Sequence, residues 1–124
     1  MKVLAIDNEP RILDGLQILL SGWGCTVMTA ADAKEAMQAL AYGEAPDVVL
    51  ADYHLDEGDG LACVAAVRKR LGKYVPAVLI TADRSPEVRD LCTEQNVRLL
   101  NKPVRPAALR ALLSQWRVLQ QAAE

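Results

Sequence analysis

Four places in this chain set a reactive side chain just where a hydrophobic run ends. Asp7-Asn8-Glu9 follows Val3-Leu4-Ala5-Ile6, Asp52 follows Val48-Val49-Leu50-Ala51, Thr81 closes Ala77-Val78-Leu79-Ile80, and Lys102 comes shortly after Leu99-Leu100. Carboxylates with neighbouring carbonyl oxygens make an oxygen donor set of the kind that suits Mg2+. A carboxylate is also a competent nucleophile toward phosphorus, giving an aspartyl phosphate. A metal ion and an ammonium would offset charge on a transferring phosphoryl group, and a hydroxyl would bond one of its oxygens. Asp52 is the first candidate for the reacting group, because an acidic, glycine-broken loop, Asp56-Glu57-Gly58-Asp59-Gly60, follows it. Each residue alone has a plainer reading. An Asp after a strand caps a turn, a Thr ends many β-branched strands, and a Lys before Pro is common. Convergence on one rim is what would make them a site.

The elements that must deliver these residues can be read in order. Val3 to Ile6 is a short apolar run, as expected of a strand covered on both faces. Pro10 opens a helix with apolar positions at Ile12, Leu13, Leu16, Leu19 and Leu20, one face at period 3.6, and Ser21-Gly22-Trp23-Gly24 stops it. Cys25 to Thr29 reads as the second strand. Asp32 with Glu35 resembles a capping pair for a helix carrying Ala33, Ala36, Met37 and Leu40. Gly43 to Pro46 breaks the chain before a third strand, Asp47 to Ala51. Leu61, Val64, Val67 and Leu71 mark a third helix, with Gly72 as its stop. Pro76 to Thr81 is the fourth strand. Ser85-Pro86-Glu87 starts a helix with a thin apolar face of Val88, Leu91 and Cys92. Val97 to Leu100 is the fifth strand, and Pro106 opens a last helix with Leu109, Leu112, Leu113, Trp116 and Leu119 that runs nearly to Glu124.

Strict alternation of five strands with five helices predicts an α/β fold, a parallel sheet with helices on both faces. At this length the flavodoxin-like, doubly wound order 2-1-3-4-5 is the expected topology, and its ligands gather at the carboxyl ends of the strands. The competitor is a nucleotide-binding Rossmann half. No Gly-x-Gly-x-x-Gly or Walker lysine loop follows the first strand, and an acidic turn there would repel phosphate.

Composition narrows the function classes. The chain has 124 residues, 52% hydrophobic and 24% charged, with a formal net charge of -2, so one domain over residues 1–124 is expected. Nothing in this charge balance points to direct nucleic-acid binding, and scarce aromatics argue against a base-stacking platform. No apolar run reaches the about 20 residues that span a bilayer, so no membrane contact by this domain is expected. The first acid comes too early for a signal peptide. Cys25, Cys63 and Cys92 form no Cys-x-x-Cys pair, which fits reduced core thiols in a cytoplasmic protein.

As a set, Val3-Leu4-Ala5-Ile6-Asp7-Asn8-Glu9-Pro10, Asp52 with the Gly58-Asp59-Gly60-Leu61 loop, Thr81-Ala82 and Lys102-Pro103 resemble the receiver domain of two-component response regulators. The resemblance covers essentially the whole chain. It implies that Asp52 is the phosphoacceptor, Asp7 a metal-site acid, the backbone carbonyl of His54 a metal ligand, Thr81 the switch hydroxyl and Lys102 the phosphate-pairing lysine, with Mg2+ as cofactor. It also implies a cis Lys102-Pro103 bond. Two departures stand out. Where the family carries a second acid, this chain has Asn8, with a carbonyl oxygen and no charge. Weaker Mg2+ binding with phosphorylation retained is therefore expected, and Asn8 and Glu9 are further candidate metal donors. Where the family presents an aromatic switch residue, three before the lysine, this chain has Leu99, so output is expected through the fourth helix and its loops.

Lesser residues are weighed the same way. His54 is either a solvated loop residue or a tuner of water access to a phosphoaspartate. Asp56, Glu57 and Asp59 read as a solvated acidic loop, with extra metal ligands as the other reading. Trp116 reads as core packing, and Arg105, Arg110 and Arg117 as a solvated face. The function implied is a phosphoacceptor that takes its phosphoryl group from a histidine kinase or phosphotransfer domain; it is no enzyme in the turnover sense. The Leu19-Leu20-Ser21-Gly22-Trp23-Gly24-Cys25 segment and the Ile6-to-Pro10 start resemble receivers at the C-terminus of hybrid sensor kinases. Homodimerisation through the fourth or fifth helix is open. The alternatives are a degenerate receiver serving as a phosphorylation-independent interaction module, and a Mg2+ phosphohydrolase using Asp52.

Overall fold

Two strands of the computed structural model, β3 (Val48–Asp52) and β4 (Ala77–Thr81), are buried at every residue, and β1 (Lys2–Ile6) is buried from Val3 onward. Such strands must lie inside a sheet covered on both faces. The structure describes residues 1–123; Glu124, where the last helix was expected to end, lies outside them. β2 (Thr26–Ala30) and β5 (Arg98–Asn101) complete a five-stranded sheet in the order β2-β1-β3-β4-β5, with every neighbouring pair parallel. The order is the one expected from the sequence. The two outer strands keep exposed residues because each has only one neighbour in the sheet.

Successive side chains of a strand point to opposite faces, and the two faces collect different helices. Leu4, Ile6, Val49, Ala51 and Leu79 pack with α2 (Ala33–Tyr42), α3 (Gly60–Leu71) and α4 (Pro86–Glu94). Val3, Val48, Leu50, Val78 and Ile80 pack with Leu20 of α1 (Pro10–Gly22) and with Leu109, Leu112 and Leu113 of α5 (Pro106–Ala123). Burying one Leu or Val of this kind stabilises by about 1.5–3 kcal/mol, far more than any single surface contact here. None of the described helices is long and apolar enough to cross a membrane.

Helix ends follow the sequence signals. The Asp32 carboxylate accepts the Glu35 N–H (2.9 Å), and Glu35 reaches back to the Ala31 N–H (2.9 Å). Asp59 caps α3 by accepting from the Ala62 N–H (2.8 Å), and Ser85 caps α4 through Val88 (3.4 Å). Gly72 ends α3 at φ 67°, a left-handed conformation that glycine adopts without a Cβ penalty.

Three strands begin one residue later than the apolar runs suggest, each for a hydrogen-bonding reason. The Cys25 N–H closes α1 on the Leu20 carbonyl (3.0 Å), the Asp47 N–H and carboxylate engage Lys2, and the Val97 N–H closes α4 on the Cys92 carbonyl (2.8 Å). β4 likewise begins at Ala77 rather than Pro76, since proline has no N–H for the ladder. At the other end β3 extends through Asp52 and β5 through Asn101. Of the arginines at and before α5, Arg117 corrects the solvated-face reading: it is half-buried and donates to the Cys25 Sγ (3.8 Å). Arg105 and Arg110 are exposed as expected, with the Arg110 guanidinium 5.5 Å from the Trp23 ring centre. Trp116 is half-buried against the α1/α5 core, as expected. All three thiols are buried and unpaired, and burial pushes Cys63 up to about 11. Arg68 has no counterpart in the sequence reading: it donates to the carbonyls of Val75, Gln95 and Asn96 and ties α3 to the start of β4 and the end of α4.

One close approach joins the fold to the candidate site. A Cβ added at Gly60 would lie 2.2 Å from the Asp52 carbonyl oxygen and 2.8 Å from a Leu79 methyl. The backbone oxygen cannot yield without moving the end of β3. Gly60→Ala is therefore expected to destabilise by at least the about 1–3 kcal/mol typical of overpacking. Urea unfolding checks this, and an unchanged midpoint would contradict the tight approach.

Candidate functional site

The first strand hands over to its helix through Asp7. Its backbone N–H still bonds the Ala30 carbonyl (3.0 Å), extending the β1–β2 pairing, while its carboxylate turns to accept the Glu9 N–H (2.9 Å). Asp7 is 4% exposed. Burial pushes its carboxyl above the usual range; the Glu9 hydrogen bond opposes this, the Asp52 charge adds to it, and Lys102 offsets part of it. Glu9 is the N-terminal cap residue of α1, yet its side chain makes no capping bond, so its carboxylate is not committed to the helix.

Asp52 ends β3 at 8% exposure, and the Lys102 Nζ lies 3.3 Å from its Oδ2. Lys102 is placed by backbone bonds from β4: its N–H donates to the Thr81 carbonyl (2.8 Å), and the Lys102-Pro103 bond is cis. Thr81 is fully buried, and its Oγ1 accepts the Asp83 N–H (3.0 Å). That bond uses a lone pair and leaves the hydroxyl proton free to be donated. Asp83 in turn accepts from Ser85, whose hydrogen bonds hold the Asp83 carboxyl below its ordinary value.

Asn101 belongs to this constellation and was missed as a functional residue. Its side-chain nitrogen donates to the carbonyls of both Thr81 and Asp83 (3.3 Å each), fastening the β4 and β5 loops together. The available signal was a polar residue directly before Lys102 at a strand end. Leu99, where an aromatic was expected by resemblance, is half-buried against the α2–α4 core.

The loop after β3 is less free than an acidic, solvated reading implies. His54 pairs with Asp59 in an isolated antiparallel bridge, and the Gly60 N–H bonds the Tyr53 carbonyl (3.0 Å). The His54 ring is exposed, with its centre 4.9 Å from that of Tyr53. Asp59 is committed to capping α3, and Asp56 accepts a hydrogen bond from the Asn8 Nδ2 (3.1 Å). Asp56 and Glu57 remain exposed, as the solvated reading expects.

The rim thus unites Asp7, Asp52, Thr81 and Lys102, with Asn8, Glu9 and His54 at its edge. Among the described residues no three His, Cys, Asp or Glu side chains cluster as a metal site; the oxygen donors are two carboxylates, with an amide and backbone carbonyls nearby. Two neighbouring acids, one of them pushed toward protonation by burial and by the other's charge, form a pocket short of positive charge. That donor set fits a hard divalent cation such as Mg2+. A cleft of about 380 Å³ opens beside it, lined on its apolar side by Ile12, Gly15 and Leu16 of α1 and by Val104 and Leu109.

Comparison with known proteins gives a consistent picture. A family model described as the response regulator receiver domain matches residues 3–114. An uncharacterised 14.6 kDa protein of Leptolyngbya boryana is 32% identical over 118 residues, which cover 94% of this chain and 89% of that protein. The phyllosphere-induced regulator PhyR of Methylorubrum extorquens is 35% identical over 98% of this chain, and the transcriptional regulatory protein GlrR of Escherichia coli is 32% identical over 86%. The chain spans only 45% and 24% of those two regulators. Among solved structures, the chemotaxis protein CheY4 of Vibrio cholerae superposes with a TM-score of 0.82 at 29% identity, covering 92% of this chain and 96% of that one.

The Asp7 environment sets a pH dependence. A carboxyl whose value is raised in the folded state favours folding while protonated. Its contribution is full below the unfolded value of 3.8 and is lost as pH rises through the folded value. Asp7→Asn keeps the acceptor for Glu9 and removes the buried charge. In EDTA it is expected to stabilise the protein at neutral pH, with the gain disappearing below the unfolded value. Urea unfolding at the two pH values checks this, and an equal gain at both would contradict it.

Proposed function

The chain belongs to the response-regulator receiver family of two-component signalling, and on that premise we propose that it is a phosphoacceptor module whose acceptor is Asp52. The observation that carries the proposal is the buried Asp52 carboxylate with the Lys102 ammonium at 3.3 Å and Asp7 beside it. An Asp52 oxygen attacks the phosphorus of a phosphohistidine, the phosphorus–nitrogen bond breaks, and the imidazole leaves with the bonding electron pair. Lys102, already at the acceptor, follows the charge onto the phosphoryl oxygens. The Thr81 hydroxyl, with its proton uncommitted, donates to one of them. Asp7, Asp52 and the backbone carbonyl of His54 would hold Mg2+, with Asn8 and Glu9 as further oxygen donors. When bound, the cation supplies positive charge for the phosphoryl oxygens.

The donor is a histidine kinase or a phosphotransfer domain, and the cleft along α1 gives an apolar side chain of such a partner a seat next to Asp52. Phosphorylation replaces the single carboxylate charge with a phosphoryl group carrying about -1.5 to -2 charges at pH 7, and acts as a switch when it biases an element with two arrangements. A chain of hydrogen bonds leads from the site to such an element: the Asp83 N–H to the Thr81 Oγ1, the Ser85 N–H to the Asp83 Oδ1, and the Val88 N–H to the Ser85 Oγ at the start of α4. With Leu99 in place of an aromatic, this route through the fourth helix is the supported path of output. The domain takes part in its own phosphorylation without turning over a substrate. It works in the cytoplasm, either alone or as the receiver of a hybrid sensor kinase.

Intact mass after incubation with a small-molecule phosphodonor and Mg2+ tests the proposal. One added phosphoryl group is expected, absent in Asp52→Ala and absent when EDTA removes the metal. No gain in the parent protein at millimolar Mg2+ would overturn it in favour of a phosphorylation-independent interaction module, the reading that Asn8 supports.

A further inference from the structure

The charge missing at position 8 has a counterpart across the rim. Asn8 follows β1 and Asp56 lies on the loop after β3, and the Asn8 Nδ2 donates to the Asp56 Oδ1 at 3.1 Å. Of the three acids on that loop, Asp59 is committed to capping α3. Glu57 has no side-chain hydrogen bond among the described residues. Asp56 alone engages the loop that carries Asp7. The loop that presents it is closed at its base by the His54–Asp59 bridge and by the Gly60 N–H on the Tyr53 carbonyl, so its position is not arbitrary.

We propose that Asp56 is the third acid of the divalent-cation site, acting through Asn8 as a positioning residue. The inference rests on the receiver reading and goes beyond it by naming what replaces the absent carboxylate. An amide has a donor end and an acceptor end. With its nitrogen turned to the Asp56 carboxylate, Asn8 has only its carbonyl oxygen to offer, which is the atom a hard cation takes. Donation to an anion also polarises the amide and places more negative charge on that oxygen. The Asp56 carboxylate adds its own field to the site. Mg2+ keeps several of its waters in protein sites, and outer carboxylates tune metal affinity through such contacts. The three acids of the site are then Asp7, Asp52 and Asp56, the last reached through an amide.

Asp56 and its loop face solvent, so its effect is modest and sensitive to salt. At low ionic strength, removing this charge is expected to weaken Mg2+ binding by roughly three- to tenfold, and the difference shrinks as salt is raised. A smaller effect is expected once position 8 carries its own carboxylate, because the amide through which Asp56 acts is then gone and only its screened field remains.

Calorimetric titration of Mg2+ into the unphosphorylated full chain tests this, using Asp56→Asn, Asp56→Glu, Asn8→Asp and the double variant Asn8→Asp/Asp56→Asn. Asp56→Asn is expected to weaken binding, Asp56→Glu to restore most of it, and thermal midpoints to stay unchanged. In the Asn8→Asp background, Asp56→Asn is expected to weaken binding less than it does in the parent. Equal affinity of Asp56→Asn and the parent would overturn the proposal, as would equal weakening in both backgrounds. An Asp52→Asn control separates the two levels. Binding that depends on Asp52 but not on Asp56 removes this inference alone, whereas binding indifferent to Asp52 removes the metal-site reading beneath it.

Discussion

A carboxylate at the end of a fully buried strand is the constraint from which the site follows. β3 lies between β1 and β4 with both faces covered, so its backbone has no freedom to shift Asp52 sideways, and the side chain emerges where the apolar cover ends. There it meets the Lys102 ammonium, which spares it the cost of burial as an isolated charge. Asp7 has no comparable partner; its carboxyl is held by one backbone N–H and faces the Asp52 charge. The two acids therefore differ in kind. One is paired with a lysine, and the other has no salt-bridge partner among the described residues.

Around this pair the loops are fastened to one another. Asn101 holds the β4 and β5 loops, Asn8 and Asp56 join the β1 and β3 loops, and Gly60 lets α3 start in contact with the Asp52 backbone. Events at Asp52 can thus be felt at several helix starts. The start of α4 is the most directly connected, through Thr81, Asp83 and Ser85. α4 is also short, and its apolar face is thin, with Val88 and Cys92 buried and Leu91 left half out of the core. A helix so lightly anchored costs little to shift.

Parallel strands impose a period that the sequence displays openly, and so much of the molecule could be read without coordinates. Apolar runs of four or five residues, separated by amphipathic segments with Asp32, Asp59, Ser85 and Gly72 at their ends, led to five strands, five helices and the sheet order. Because all five strands run parallel, their carboxyl ends share one edge, which places Asp7, Asp52, Thr81 and Lys102 on one rim. Strand limits were less legible. Cys25, Asp47 and Val97 look like strand residues by hydrophobicity or position, but their N–H groups close helices or bind Lys2, and backbone hydrogen bonding outranks side-chain type in setting an end.

The sequence by itself determined the class of fold, the candidate acceptor with its lysine and hydroxyl, and the two departures at Asn8 and Leu99. These are local facts: residue type, spacing and the end of an apolar run. Only the tertiary structure decided that Asp7 is pushed toward protonation, that Asn101 ties two loops, that Arg68 and Arg117 are structural, and that Asp56 meets Asn8. Each of those depends on which residues, far apart along the chain, end up within hydrogen-bonding or Coulombic reach. Distance in space is set by the packing of the sheet and its loops, and no period along the chain encodes it.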